Sequence, residues 1–103
     1  MQGLEHIVNN RLTRPAHPGE VLADVLDDLK ITKAEFAKVL NVSTETVNEI
    51  IDGKKAITID IAIRLGKALG NGPQLWLNLQ QKIDIWDAMT ANKEQYEKVH
   101  CVV

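Results

Sequence analysis

From Ser43 to Asp52 the chain reads S-T-E-T-V-N-E-I-I-D, and Lys54 and Lys55 follow directly. These side chains suit the recognition of a base-paired duplex. An asparagine offers a donor and an acceptor together, which matches an adenine edge. A threonine offers a methyl contact to thymine, and a glutamate accepts from the exocyclic amine of cytosine. Lysines and small hydroxyls hold phosphates and carry no sequence information. Thr44, Glu45, Thr46 and Asn48 are therefore the candidate base readers, and Lys33, Ser43, Lys54 and Lys55 the candidate phosphate anchors. One feature opposes this reading: between Ser43 and Asp52 there are two glutamates and no lysine or arginine.

The elements that carry these residues follow from punctuation and period. Ser43 is a helix cap, and Val42 with Val47 stand where a hydrophobic staple fixes the approach to the helix. Val47, Ile50 and Ile51 face inward, and Gly53 supplies the left-handed exit. Placed at 100° per residue, Glu45, Glu49 and Asp52 then point outward, with Thr46 and Asn48 on the flanks. The preceding helix opens on a T-x-x-E capping box, Thr32 with Glu35, has Ile31 and Phe36 as its staple, and ends at Asn41. Two short capped helices joined at Asn41-Val42-Ser43 form a helix-turn-helix, because a two-turn helix needs neighbours to hold it. A small helical bundle that reads nothing is the competing interpretation of the same pattern.

Three further helices complete the domain. Pro18 and Glu20 of "HPGE" begin one, with His17 ordering its start, and Leu22, Val25, Leu26 and Leu29 form its apolar stripe. Thr58 caps another, through Ala62, Leu65 and Leu69 to Gly70, and Pro73 starts the last. Its Trp76, Leu79, Ile83 and Trp86 recur in a heptad-like seam, which suits either a core or a dimer interface, and a palindrome reader requires two copies. The expectation is an all-α, compact five-helix domain over residues 17–89. An extended arm occupies 1–16, and a C-terminal tail over 90–103 reads equally as frayed helix or short strand.

The net charge of −2 gives no global attraction to nucleic acid, so attraction must be local. Residues 1–32 carry three basic and five acidic groups, and residues 33–52 carry two and four. Residues 54–67 reverse the balance, with Lys54, Lys55, Arg64 and Lys67 against Asp60 alone. A lone lysine pair is most simply a solvated turn; placed beside a helix pair, it suits phosphate. Lys33 adds charge at a helix N-terminus, itself an anion site.

No enzyme is legible. His6, His17 and His100 are scattered, the His100–Cys101 pair is too close and too terminal for a metal site, and no nucleophile–base pair occurs. One cysteine excludes an intrachain disulfide and suits a reducing cytoplasm. There is no signal-like apolar run in "MQGLEHIVNNRLTRP", and nothing approaches the ~18 apolar residues of a membrane span.

"RPAHPGEVL", "ITKAEFAKVLNVSTETVNEIIDGKKAIT" and "IAIRLGKALGNGPQLWLNLQQKIDIWDA" resemble, in order and spacing, the HigA-type antitoxins, the virulence-associated-protein-I branch of phage-repressor-like helix-turn-helix proteins. The resemblance runs from about Arg14 to Ala88. It implies a cytoplasmic, all-helical homodimer that neutralises a HigB-like mRNA-cutting toxin. Such a protein also represses its own operon at a palindromic operator, with no catalytic centre and no cofactor. By position it assigns Lys33, Ser43, Thr44, Glu45, Thr46 and Asn48 to the DNA face and Lys54 and Lys55 to the basic turn. Relatives often carry arginine at the position of Thr44 and an uncharged residue at Glu45, which points to a different operator sequence. A helix-turn-helix regulator without a toxin is the alternative, since the branch has such members.

Overall fold

The computed structural model describes residues 13–103. Among them are six helices and no strand: α1, Pro18–Leu29; α2, Lys33–Leu40; α3, Thr44–Ile51; α4, Ile59–Leu69; α5, Pro73–Ala91; and α6, Lys93–Glu97. Residues 1–12 of the arm, with His6, lie outside the described residues, and Thr13 to His17 run without helix. The tail supplies the helix beyond the expected five, the short α6, and residues 99–103 are neither helix nor strand.

The first four helices start where a side chain can satisfy a first-turn N–H. The His17 Nδ1 accepts from the Gly19 N–H at 2.9 Å, while the His17 N–H donates to Glu20 Oε2 at 3.1 Å. Thr32 and Glu35 close their box with bonds of 3.0 and 3.1 Å, and the Thr32 N–H holds the Glu35 carboxyl below the usual carboxylate range. Ser43 and Thr58 accept from the N–H groups of Thr46 and Ile61. The C-terminal ends are equally definite. Asn41 sits in the left-handed region with φ 59° and Gly53 with φ 77°, each turning the chain sharply out of a two-turn helix.

α2 and α3 pack together, α1 crosses α3, and α4 lies against both α2 and α5. The core they enclose takes Leu22 and Leu26 from α1, Phe36, Ala37 and Leu40 from α2, Val47 and Ile50 from α3, Ile61, Ala62 and Leu65 from α4, and Trp76 from α5. Val47 and Ile50 are wholly buried, and each contributes roughly 1.5–3 kcal/mol on that account. Leu29 is the exception in the α1 stripe: at the last position of its helix it is half exposed.

The α5 seam divides. Trp76 and Ile83 have 0% and 1% exposure, so both fill the chain's own interior and have no surface to offer a second copy. The Trp76 indole N–H donates to Asn71 Oδ1 at 3.3 Å. Leu79 and Trp86 are only partly covered, and Ile85 and Met89 are exposed beside them. At the far end of α5, Asp87 receives Arg14 in a two-bond fork, both bonds 2.8 Å, which fastens the segment before α1. That guanidinium holds the Asp87 carboxyl below its ordinary range.

Gly19 decides how closely α1 approaches α3. A methyl group there would overlap the carbonyl oxygen of Ile50 and lie 2.8 Å from that of Ile51. Gly19→Ala is therefore expected to destabilise the fold by at least the ~1–3 kcal/mol typical of overpacking, because backbone yields less than side chain. Urea unfolding measures it, and an unchanged midpoint would refute the close approach.

Candidate nucleic-acid interface

α3 has one inward and one outward side, and the outward side opens at its first turn. Thr44 and Glu45 are exposed, while Thr46, Asn48 and Glu49 are half-buried and Asp52 is exposed. Glu49 is thus less outward than an ideal helical wheel places it. Helix N-termini present unsatisfied N–H groups and positive potential, so Thr44 and Glu45 stand where an anion or a groove edge is favoured.

Ser43 and Thr46 are tied to each other. Besides the capping bond of 3.1 Å, their hydroxyls lie 2.9 Å apart. The cap therefore already uses the Ser43 oxygen and engages the Thr46 hydroxyl, which leaves Thr44 and Asn48 with the freer polar groups on this face.

The basic turn is folded back on the end of α3. The N–H groups of Lys54 and Lys55 both donate to the Glu49 carbonyl, at 2.9 and 3.2 Å, while both side chains are exposed. On the other side of the turn, Ile57 is buried and its N–H donates to Gln80 Oε1 at 2.8 Å. Lys33 occupies the first position of α2 and is exposed. Among the described residues the ion pairs are Arg14–Asp87 and Arg64–Asp60, so Lys33, Lys54 and Lys55 carry their charge outward uncommitted. The sequence candidates are therefore gathered on α3, the start of α2 and the turn after α3; the Trp76–Ile83 pair belongs to the core instead.

Arg64 departs from the charge argument. Rather than adding to a phosphate-facing patch, its guanidinium donates to the carbonyls of Leu40 at 2.9 Å and Asn41 at 3.2 Å, and to Asp60 at 3.0 Å. It caps the C-terminal end of α2, where a cation meets the negative end of the helix dipole. Gln80 was equally unassigned. Its signal was a polar residue four positions after Trp76 and three before Ile83, on a stripe that the core claims.

Arg64→Met should lower stability by roughly 1–3 kcal/mol, as expected for charged donors leaving half-buried carbonyls. Denaturant unfolding reads this, and a stability equal to wild type would refute the capping role of Arg64.

Comparison with known proteins agrees with this geometry. Residues 22–76, more than half of the chain, match the helix-turn-helix family. Antitoxin HigA-1 of Vibrio cholerae is 40% identical over 82% of this chain and 78% of its own length. A candidate antidote protein of a plasmid maintenance system from Nostoc punctiforme is 63% identical, with a TM-score of 0.77 over 88% of this chain and 100% of that one. The Pseudomonas aeruginosa antitoxin HigA, solved with the higBA promoter, superposes with a TM-score of 0.81 at 38% identity, covering 87% of this chain and 100% of that one. On fold, motif and identity together, the chain belongs to the HigA antitoxin branch of the helix-turn-helix family.

Proposed function

We propose that the protein is an antitoxin that represses its own operon, reading a palindromic operator as a homodimer and neutralising a HigB-like mRNA-cutting toxin. One observation carries the DNA-binding half: an exposed first turn of α3, bearing Thr44 and Glu45, with uncommitted Lys54 and Lys55 just after the helix. The relative solved with its promoter supports the same reading. On the reading proposed for this chain, Asn48, Thr44, Thr46 and Glu45 discriminate bases, while Lys33, Lys54 and Lys55 hold phosphates, with Ser43 contributing from its cap. The second copy docks on the outer side of α5, where Leu79 and Trp86 lie partly covered beside the exposed Ile85 and Met89.

Three lysines per subunit make six neutralised phosphates per dimer, so log K against log salt should fall with a slope of about −5; a monomer would give about half that. Asn48→Ala should weaken the selected operator by about ten-fold or more and leave random DNA nearly unaffected. A slope near zero would remove the phosphate role, and equal losses on both DNAs would remove Asn48 from base reading.

The toxin-neutralising half rests on family membership. Its test is co-expression with the protein of the adjacent reading frame. Rescue of growth together with a co-purifying complex is expected. An adjacent product that is harmless and unbound would leave a stand-alone regulator.

A further inference from the structure

We propose that Gln80 is a positioning residue for DNA binding: from α5 it holds the Lys54–Lys55 turn in the form in which both lysines meet phosphate. This rests on the DNA-binding reading given above.

Gln80 is 8% exposed and is the buried polar side chain of the described core. A buried amide is unfavourable unless its groups are paired, and an apolar side chain would serve the core of α5 equally well. Here both ends are used. Oε1 accepts from the Ile57 N–H at 2.8 Å, and Nε2 donates to Asp84 Oδ1, one helical turn on, at 2.9 Å. The Asp84 bond fixes which end of the amide faces Ile57, so the oxygen is presented to the N–H.

What Gln80 holds is the far end of the basic turn. The near end is fixed by the Glu49 carbonyl, which accepts from the Lys54 and Lys55 N–H groups, and by Gly53 at φ 77°. Between the two fixed ends are Lys54, Lys55 and Ala56, all exposed. Without the Gln80 bond the buried Ile57 side chain still anchors the far end, but its N–H loses its partner and the backbone direction of the three exposed residues is no longer fixed there. The lysine charges would remain, but the turn would have to be ordered on binding, and that entropy opposes association.

Gln80→Met conserves volume and helix propensity while removing both bonds. At a temperature where circular dichroism shows it fully folded, its operator affinity should fall by about ten-fold per subunit, comparable to losing one well-formed hydrogen bond. The salt slope should stay as in wild type, since no charge is lost, and the Ile57 amide should exchange faster in the free protein. The double variant Gln80→Glu with Asp84→Asn should rescue affinity: the new carboxylate accepts from Ile57, and the new amide at position 84 donates to it. A merely structural role would lower stability and leave affinity unmoved, and that result in folded Gln80→Met overturns the proposal. If Gln80→Met does not fold, Asp84→Ala carries the test, with a several-fold loss of affinity expected and an unchanged affinity again overturning it. A wild-type protein that binds no DNA would instead remove the DNA-binding reading, and this proposal with it.

Discussion

An eight-residue helix cannot maintain itself in water, and everything about this domain answers that constraint at α3. Val47 and Ile50 sink into the core, Ser43 supplies the missing partner at one end, and the first turn of α1 closes over the other. The last of these is possible only because Gly19 has no side chain. A helix held from behind and at both ends has its outer side left over for recognition. Stability and exposure are therefore assigned to different faces of the same two turns.

The division of charge follows the same plan. The outer face of α3 is acidic and polar, so it contributes little to attraction for a polyanion. Exposed positive charge lies instead on Lys54, Lys55 and Lys33, outside the ion pairs of the described residues. Arg64 lies in the same basic stretch of sequence but serves the interior, closing the end of α2. Counting charge along a sequence cannot distinguish the two uses. Hydrogen-bond partners do, and they take Arg64 out of the candidate phosphate surface.

What could be read in the sequence was local. Thr32 with Glu35, Ser43 with Thr46 and Thr58 with Ile61 are partners three positions apart, and Pro18, Asn41 and Gly53 mark their boundaries by backbone preference alone. The exposed first turn of α3 was legible because cap and period fix which way its residues face. The features that escaped join distant positions. Gln80 reaches back 23 residues to Ile57, Arg64 24 residues to Leu40, and Gly19 meets the end of a helix some thirty positions later. A heptad-like spacing also cannot separate a core stripe from an interface. Trp76 and Ile83 went to the first, while Leu79 and Trp86 stayed partly open. The tail had neither period nor cap strong enough to decide between helix and strand.

The fork between Arg14 and Asp87 joins positions 73 residues apart and leaves both side chains about half exposed. Mechanically, this makes it a clasp across the mouth of a nearly complete loop of chain. Tension applied between the segments on either side would load this exposed, salt-screened pair before it reached the buried contacts of α3. The clasp would open, and α1 and α5 would be peeled apart from their ends.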